Sequence, residues 1–338
     1  MTDNKHVIIW LLSGCALIFI MVIVGGLTRL TDSGLSMVNW NLFMGAIPPL
    51  NHSEWQELFA LYQQSPEGVK LNYNCTLSEF KYIFFWEYLH RMIGRLLGLV
   101  FIIPFIIFLI MRKLNKKLIK QSLLLFALGA MQGAIGWWMV KSGLVDNPHV
   151  SHYRLSIHLI TAFLTCAYTF WIVLGLIYTK PQKGNKKIEK LFYIFLFLII
   201  VQIIYGAFVA GLDGGGGFNT WPKMLGEWIP EAVYTDINGY NPIWFLEHRW
   251  GVQFIHRTLG IFILAFTLYI WKAGMNSHPN EKQKKSLFLI LLITIIQTVL
   301  GITTLIMVAP IALASTHQII AFILLMTIVH NIFIFKKS

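Results

Sequence analysis

Residues 86–91 read Trp86-Glu87-Tyr88-Leu89-His90-Arg91, near the start of an apolar run that continues to about Met111. A run of that length can cross the ~30 Å hydrocarbon core of a bilayer as a helix. It then carries a carboxylate, an imidazole and a guanidinium a short way into the membrane. Glu87 and His90 are three residues apart and share a helix face. Ionisable groups at that depth are costly and face a bundle interior or a water-filled cavity. A second copy, Gln253-Phe254-Ile255-His256-Arg257, keeps the His-Arg pair and replaces the acid with an amide.

Working outward, the 338-residue chain is 56% hydrophobic and only 12% charged, too apolar for a soluble domain. Apolar segments of spanning length fall near 7–27, 82–111, 121–140, 153–178, 190–211, 250–271, 286–308 and 311–334. They predict an all-α membrane protein with eight transmembrane helices. The last two nearly meet across Pro310, which demands a tight turn. The formal charge of +12 does not point to nucleic acid, since no basic stripe sits on a soluble module. Lysines and arginines cluster instead in the loops at 112–120, 180–190 and 272–285 and at both termini. The positive-inside rule puts these loops and both termini in the cytoplasm. The first span begins after six residues, which leaves no room for a transit peptide and favours a bacterial plasma membrane. Cys15 and Cys166 lie in spans and Cys75 in the first outer loop, so no disulfide between outer cysteines is expected.

The second half repeats the first. Gly25-Gly26 through Asp32 to Trp40 matches Gly206-Ala207 through Asp213 to Trp221, with identical spacings. Gln132-Gly133-Ala134-Ile135-Gly136 pairs with Gln297-Thr298-Val299-Leu300-Gly301, and Ser156-Ile157-His158 with Ser315-Thr316-His317. These matches predict two pseudo-symmetric four-helix bundles, 1–179 and 191–338, joined by a basic linker at 180–190. Each unit has an even number of spans, so the repeat is parallel. The long outer loops carry an amphipathic helix at 53–64 and the run Gly214-Gly215-Gly216-Gly217, read as a flexible turn or close backbone packing. Asp32 and Asp213 follow glycine-rich span ends and read as turn or capping residues.

Of eleven histidines, His90, His158, His256 and His317 stand near the outer start of even-numbered spans. They lie roughly 8–12 Å deep at a helical rise of about 1.5 Å per residue. A single membrane histidine is ordinarily an interhelical hydrogen-bonding group. A depth-matched set of four reads instead as two facing pairs, His90 with His158 and His256 with His317. Such pairs form axial cages for haem iron. Gly94, Gly98, Gly136, Gly260 and Gly301 would let a flat macrocycle approach the backbone. Arg91, Arg95 and Arg257 would pair with propionates, snorkelling to headgroups being the alternative for Arg91 and Arg257. Glu87 has a structural reading as partner of Arg91. A hydrogen bond would tolerate either Glu or Gln, whereas proton transfer or steadying a developing cation needs the carboxylate. This makes Glu87 the catalytic candidate and the first half the working site.

Taken together and in order, these motifs resemble the haem A synthase family over nearly the whole chain. The resemblance also rests on residues 25–37, Phe218-Asn219-Thr220-Trp221-Pro222 and Ala314-Ser315-Thr316-His317-Gln318. It implies oxidation of the C8 methyl of haem O to the formyl group of haem A, by two hydroxylations and loss of water from a geminal diol. It implies a haem b cofactor on His256 and His317, with His90 and His158 serving the substrate haem and Glu87 matching the family's essential acid. Haem O synthase and cytochrome oxidase assembly are the implied partners, beside the lipid bilayer. The electron acceptor and any homo-oligomer stay open. One subclass carries a cysteine pair in the first outer loop; this chain has only Cys75 there, so no thiol pair enters the expected mechanism. The alternatives are a di-haem b-type electron-transfer protein without a substrate, and a transporter using its histidines as a proton relay. The absence of broken spans opposes the transporter.

Overall fold

The computed structural model describes residues 4–38, 47–144, 148–178, 184–236 and 239–336. Trp40, residues 180–183 of the basic linker, and Lys337 lie outside the described residues. The long helices are α1 (Lys5–Leu30), α4 (Leu77–Ile110), α5 (Lys116–Lys141), α6 (His152–Ile177), α7 (Lys186–Gly211), α9 (Arg249–Met275), α10 (Glu281–Ile306) and α11 (Ile311–Phe335). All eight are long and apolar enough to cross a membrane. Short helices α2 (His52–Gln63), α3 (Pro66–Lys70) and α8 (Trp244–Glu247) lie in the outer loops. The third outer loop also holds an antiparallel ribbon of β1 (Thr235–Asp236) and β2 (Gly239–Tyr240). The protein is an all-α membrane protein, and the amphipathic stretch at 53–64 is α2.

The helices start up to a turn or so before the apolar runs do, because capping rather than hydropathy decides where a helix begins. Asn115, Asn185 and Asn280 accept backbone N–H bonds at the starts of α5, α7 and α10. Thr76 and Glu79 form a reciprocal capping box that opens α4 ahead of its apolar stretch.

The repeat is visible in local geometry. After α1, Thr31 N–H bonds Leu27 C=O at 2.9 Å and Ser33 N–H bonds Thr28 C=O at 2.9 Å. After α7, Leu212 N–H bonds Phe208 C=O at 2.9 Å and Gly214 N–H bonds Val209 C=O at 2.8 Å. Asp32 and Asp213 occupy the matching left-handed position, with φ of 48° and 50°. Aspartate tolerates that region better than most side chains, which is why a turn role suits both. Asp32 also meets Arg29 at 2.8 Å. The sharp α10–α11 connection uses two more left-handed residues, Val308 and Ala309, before Pro310.

The chain divides into two compact units, Ser13–His158 and Leu159–Ser338 with Met1–Leu12. In the second, α7, α9, α10 and α11 form a closed ring in which each helix packs on two others. Its core sits toward the basic end, around Phe192, Phe195, Ile270, Leu287, Ile290 and Leu325. Toward the outer end, buried positions on α9 skip from Gln253 to Ile263, and α11 has none before Phe322. In the Ser13–His158 unit α5 has no buried residue after Leu125, toward its outer end, whereas α4 is buried at its outer start through Phe80, Phe84 and Glu87 and has none after Glu87. In that unit α2 packs on the outer end of α4 through Tyr62, Phe80 and Phe84, with Trp55 edge-on to Phe84 at 5.0 Å. In the other, Phe218, Met224 and Val233 gather beside Trp250 and Phe254 at the start of α9.

The matching turns give a stability test. Asp213→Val is expected to cost about 1–2 kcal/mol more than Asp213→Gly, since only glycine is free of the left-handed penalty. Thermal unfolding in detergent reads the difference, and equal midpoints for the two variants would remove the conformational argument.

Candidate functional site

Each of the four histidines named above lies against a glycine of the preceding long helix. A Cβ added to Gly25 on α1 would stand 2.9 Å from His90 Cε1, and one on Gly136 of α5 3.2 Å from His158 Cε1. A Cβ on Gly206 of α7 would stand 3.2 Å from His256 Cε1, and one on Gly301 of α10 2.9 Å from His317 Cε1. The glycines let each ring lie where a side chain would otherwise be. Gly136 and Gly301, expected to face a macrocycle, are therefore seats for imidazoles. Gly94 instead meets Met21, and Gly260 the Gln202 amide.

His256 and His317 face each other with ring centroids 6.3 Å apart and planes at 82°. Metal–imidazole bonds of about 2 Å, plus about 1 Å from nitrogen to ring centre, put two axial imidazoles on one metal about 6 Å apart, centroid to centroid. The pair has the spacing of two ligands on one ion. The Nδ1 atoms of His90, His256 and His317 are buried without a hydrogen-bond partner, a state that calls for one. Gln297 Nε2 makes a long 3.4 Å contact to His317 Nε2, and Gln202 Nε2 donates to His256 C=O at 3.0 Å. His158 is an electrostatic neighbour of His90 in the other unit. Among the described residues no cluster of three or more His, Cys, Asp or Glu gathers to bind a metal. A metal held by two imidazoles alone needs its remaining ligands supplied with it, as a porphyrin does. The thinly buried stretches of α9 and α11 around His256 and His317 are where such a flat group would lie.

Glu87 is 3% exposed and fully engaged. Its Oε2 accepts from Ser36 Oγ at 2.7 Å and Met37 N–H at 2.8 Å, and its Oε1 from Arg91 at 2.5 Å. Arg91 also reaches Met37 C=O at 3.4 Å. Gln253, the counterpart, donates from Nε2 to Gly214 C=O at 2.8 Å. Arg257 donates to the carbonyls of Phe218, Thr220, Pro222 and Lys223 and lies over the Trp221 ring. Met37 and Phe218 are matching positions of the repeat, so both arginines anchor the same loop residue. The loop around the acid presents donors, whereas the amide meets a carbonyl through Nε2 and its buried Oε1 has no partner. Arg95 is directed along its own helix, with Nη1 3.4 Å from Met92 Sδ.

The sequence reading missed Lys141. At the outer end of α5 it lines, with Arg91, Met37 and Trp137, a pocket of about 200 Å³. Its ammonium sits 5.1 Å from the Trp137 ring. A lysine closing a span on the side opposite the basic loops was the available signal. His330 is half-buried in α11, within reach of Ser286 at 3.2 Å and Tyr178 at 3.5 Å. His248 stacks on Trp244 at 3.7 Å, a structural role. None of the three cysteines, all among the described residues, forms a disulfide.

Residues 8–329 match the family described as cytochrome oxidase assembly protein. A haem A synthase of Flavobacterium psychrophilum is 46% identical over 340 residues, covering 100% of both chains. One of Flavobacterium johnsoniae is 45% identical over 336 residues, 98% of each chain. One of Nitrosospira multiformis is 41% identical over 321 residues, 93% of this chain and 89% of its own.

The seats predict a phenotype. Gly301→Val pushes a branched side chain into the His317 ring, and would cost any metal ligated between His256 and His317 most of its occupancy. Gly14→Ala, which meets nothing within 4 Å, should leave it unchanged. Elemental analysis with visible absorbance reads both, and full metal content in Gly301→Val would refute the role of the seat.

Proposed function

We infer haem A synthesis as the activity of this protein, from the premise that the chain belongs to the haem A synthase family of cytochrome oxidase assembly proteins. The observation that carries the reading is the His256–His317 pair at axial-ligand spacing, repeated in outline by His90 and His158. The substrate is haem O, held by His90 and His158, and its C8 methyl becomes a formyl group through two hydroxylations and loss of water from the geminal diol. His256 and His317 hold a resident haem b, which when bound supplies the one-electron chemistry that no side chain here offers.

The chain's own residues orient and polarise. Arg91 and Lys141 line one pocket beside the substrate pair, where their charges suit propionate carboxylates, and Arg95 adds a third cation on the same helix. Arg257, already bonded to loop carbonyls, serves the second site by holding its loop in place. Glu87 is fixed by Ser36, Met37 and Arg91 in one orientation, so its carboxylate is preorganised to take a proton or to steady positive charge developing at the methyl carbon.

The lysines that open α5, α7 and α10 stand at helix N-termini, where they oppose the helix dipole. Their placement answers to membrane orientation, with these ends and both termini in the cytoplasm of a bacterium. Haem O synthase upstream and an oxidase under assembly downstream are the partners this chemistry requires.

The equal seating of all four histidines also suits a di-haem b electron-transfer protein. Mass spectrometry of the extracted pigments separates the two readings, since only the synthase yields haem A when haem O is supplied. Glu87→Gln is expected to keep its bound haem while making roughly 100-fold less haem A. Full activity in that variant would discard the catalytic role of Glu87.

A further inference from the structure

Gln202 stands in α7, one turn before Gly206, the seat of His256. Its Nε2 donates to the backbone C=O of His256 at 3.0 Å. That carbonyl lies inside α9, where the N–H of Gly260 is its ordinary helical partner. The amide rests on Gly260, where an added Cβ would stand 3.4 Å from Nε2. The Oε1 of the same amide is buried without a partner. A span that buries an amide oxygen unpaired bears a cost a methionine would avoid. The one bond that amide makes fixes the backbone of a ligand.

The repeat supplies the comparison. Gly206 and Gly25 are matching seats, which pairs Gln202 with Met21, and Gly260 pairs with Gly94. Met21 occupies the equivalent place, since a Cβ on Gly94 would stand 3.5 Å from Met21 Cε. A thioether has no N–H to give to the C=O of His90. In this half α1 reaches α4 through Thr28 Oγ1, which lies 3.3 Å from Trp86 C=O, one turn outward of His90, and is shared with Val24 C=O at 2.8 Å.

We propose that Gln202 is a positioning residue that makes the haem of the second half resident, and that Met21 at the matching place leaves the haem of the first half exchangeable. The proposal rests on the reading of His256–His317 as the cofactor site and His90–His158 as the substrate site. An axial imidazole leaves its metal when its side chain swings away or its helix recedes. The glycine seats hinder the swing alike in both halves. The Gln202 bond resists the recession in one half only, by tying α9 to α7 at the ligand itself. A cofactor site gains from that tie, whereas a substrate site has to let its product go at every turnover.

Haem loss to excess apomyoglobin, followed by absorbance, reads retention directly. Full-length protein is used with one site disabled: His90→Ala with His158→Ala leaves the second site, loaded with haem b, and His256→Ala with His317→Ala leaves the first, loaded with haem O. Gln202→Met in the second-site protein is expected to speed haem loss about 3- to 10-fold. Met21→Gln in the first-site protein should slow it by a similar factor, and with both sites intact should slow later turnovers more than the first. The reciprocal variant decides the matter even where Gln202→Met folds poorly. Unaltered loss in both variants, with the two wild-type sites differing, overturns the proposal and leaves the function standing. A lowered unfolding midpoint of haem-free Gln202→Met with wild-type haem loss also overturns it, since the bond is then structural alone. If the wild-type first site keeps haem O as long as the second keeps haem b, the division into substrate and cofactor halves fails, and the proposal with it.

Discussion

An imidazole lying against a bare backbone is the constraint from which the rest follows. His90, His158, His256 and His317 each need a neighbouring helix to come closer than any Cβ would permit, at Gly25, Gly136, Gly206 and Gly301. The contact orients the rings by shape, while the Nδ1 atoms of three of them are left without a protein partner. Glycine here serves the position of an imidazole ring more than the flexibility of a chain. Along the stretches of α9 and α11 that carry His256 and His317, no residue between Gln253 and Ile263, or before Phe322, is buried.

The spans, the repeat and the four histidines were legible because each is written in a signal that hydropathy or motif order exposes. Helix starts were less so, since the opening turns of α5, α7 and α10 are polar and hydropathy does not see an asparagine cap. Gly25, Gly136, Gly206 and Gly301 stood in recognised motifs, yet only coordinates reveal which ring each faces. Lys141 and Gln202 were invisible for a related reason: one depends on a pocket shared by two helices, the other on a carbonyl it meets across a helix interface. The ribbon of β1 and β2 is too short to leave a periodic trace.

Glu87 and Gln253 show how one difference between repeats can have two meanings. The sequence invites a division into a working half and a resident half. The coordinates add that the acid collects a hydroxyl, an amide N–H and a guanidinium, whereas the amide gives its hydrogen to a carbonyl. The two loops are therefore not interchangeable, and a swap of these residues alone would leave Gln253's partner carbonyl facing a carboxylate. The residue and its loop differ together between the two copies, the loop after each odd span changing with the residue it meets.

The ring of α7, α9, α10 and α11 is knit at its basic end and slack at the other. That imbalance bears on biogenesis. Helices joined by a dense floor of Phe192, Phe195, Ile270, Leu287 and Leu325 have enough mutual burial to associate as soon as they leave the insertion machinery. The loosely lined mouth adds little to that burial, so association of the four helices does not depend on what later occupies it.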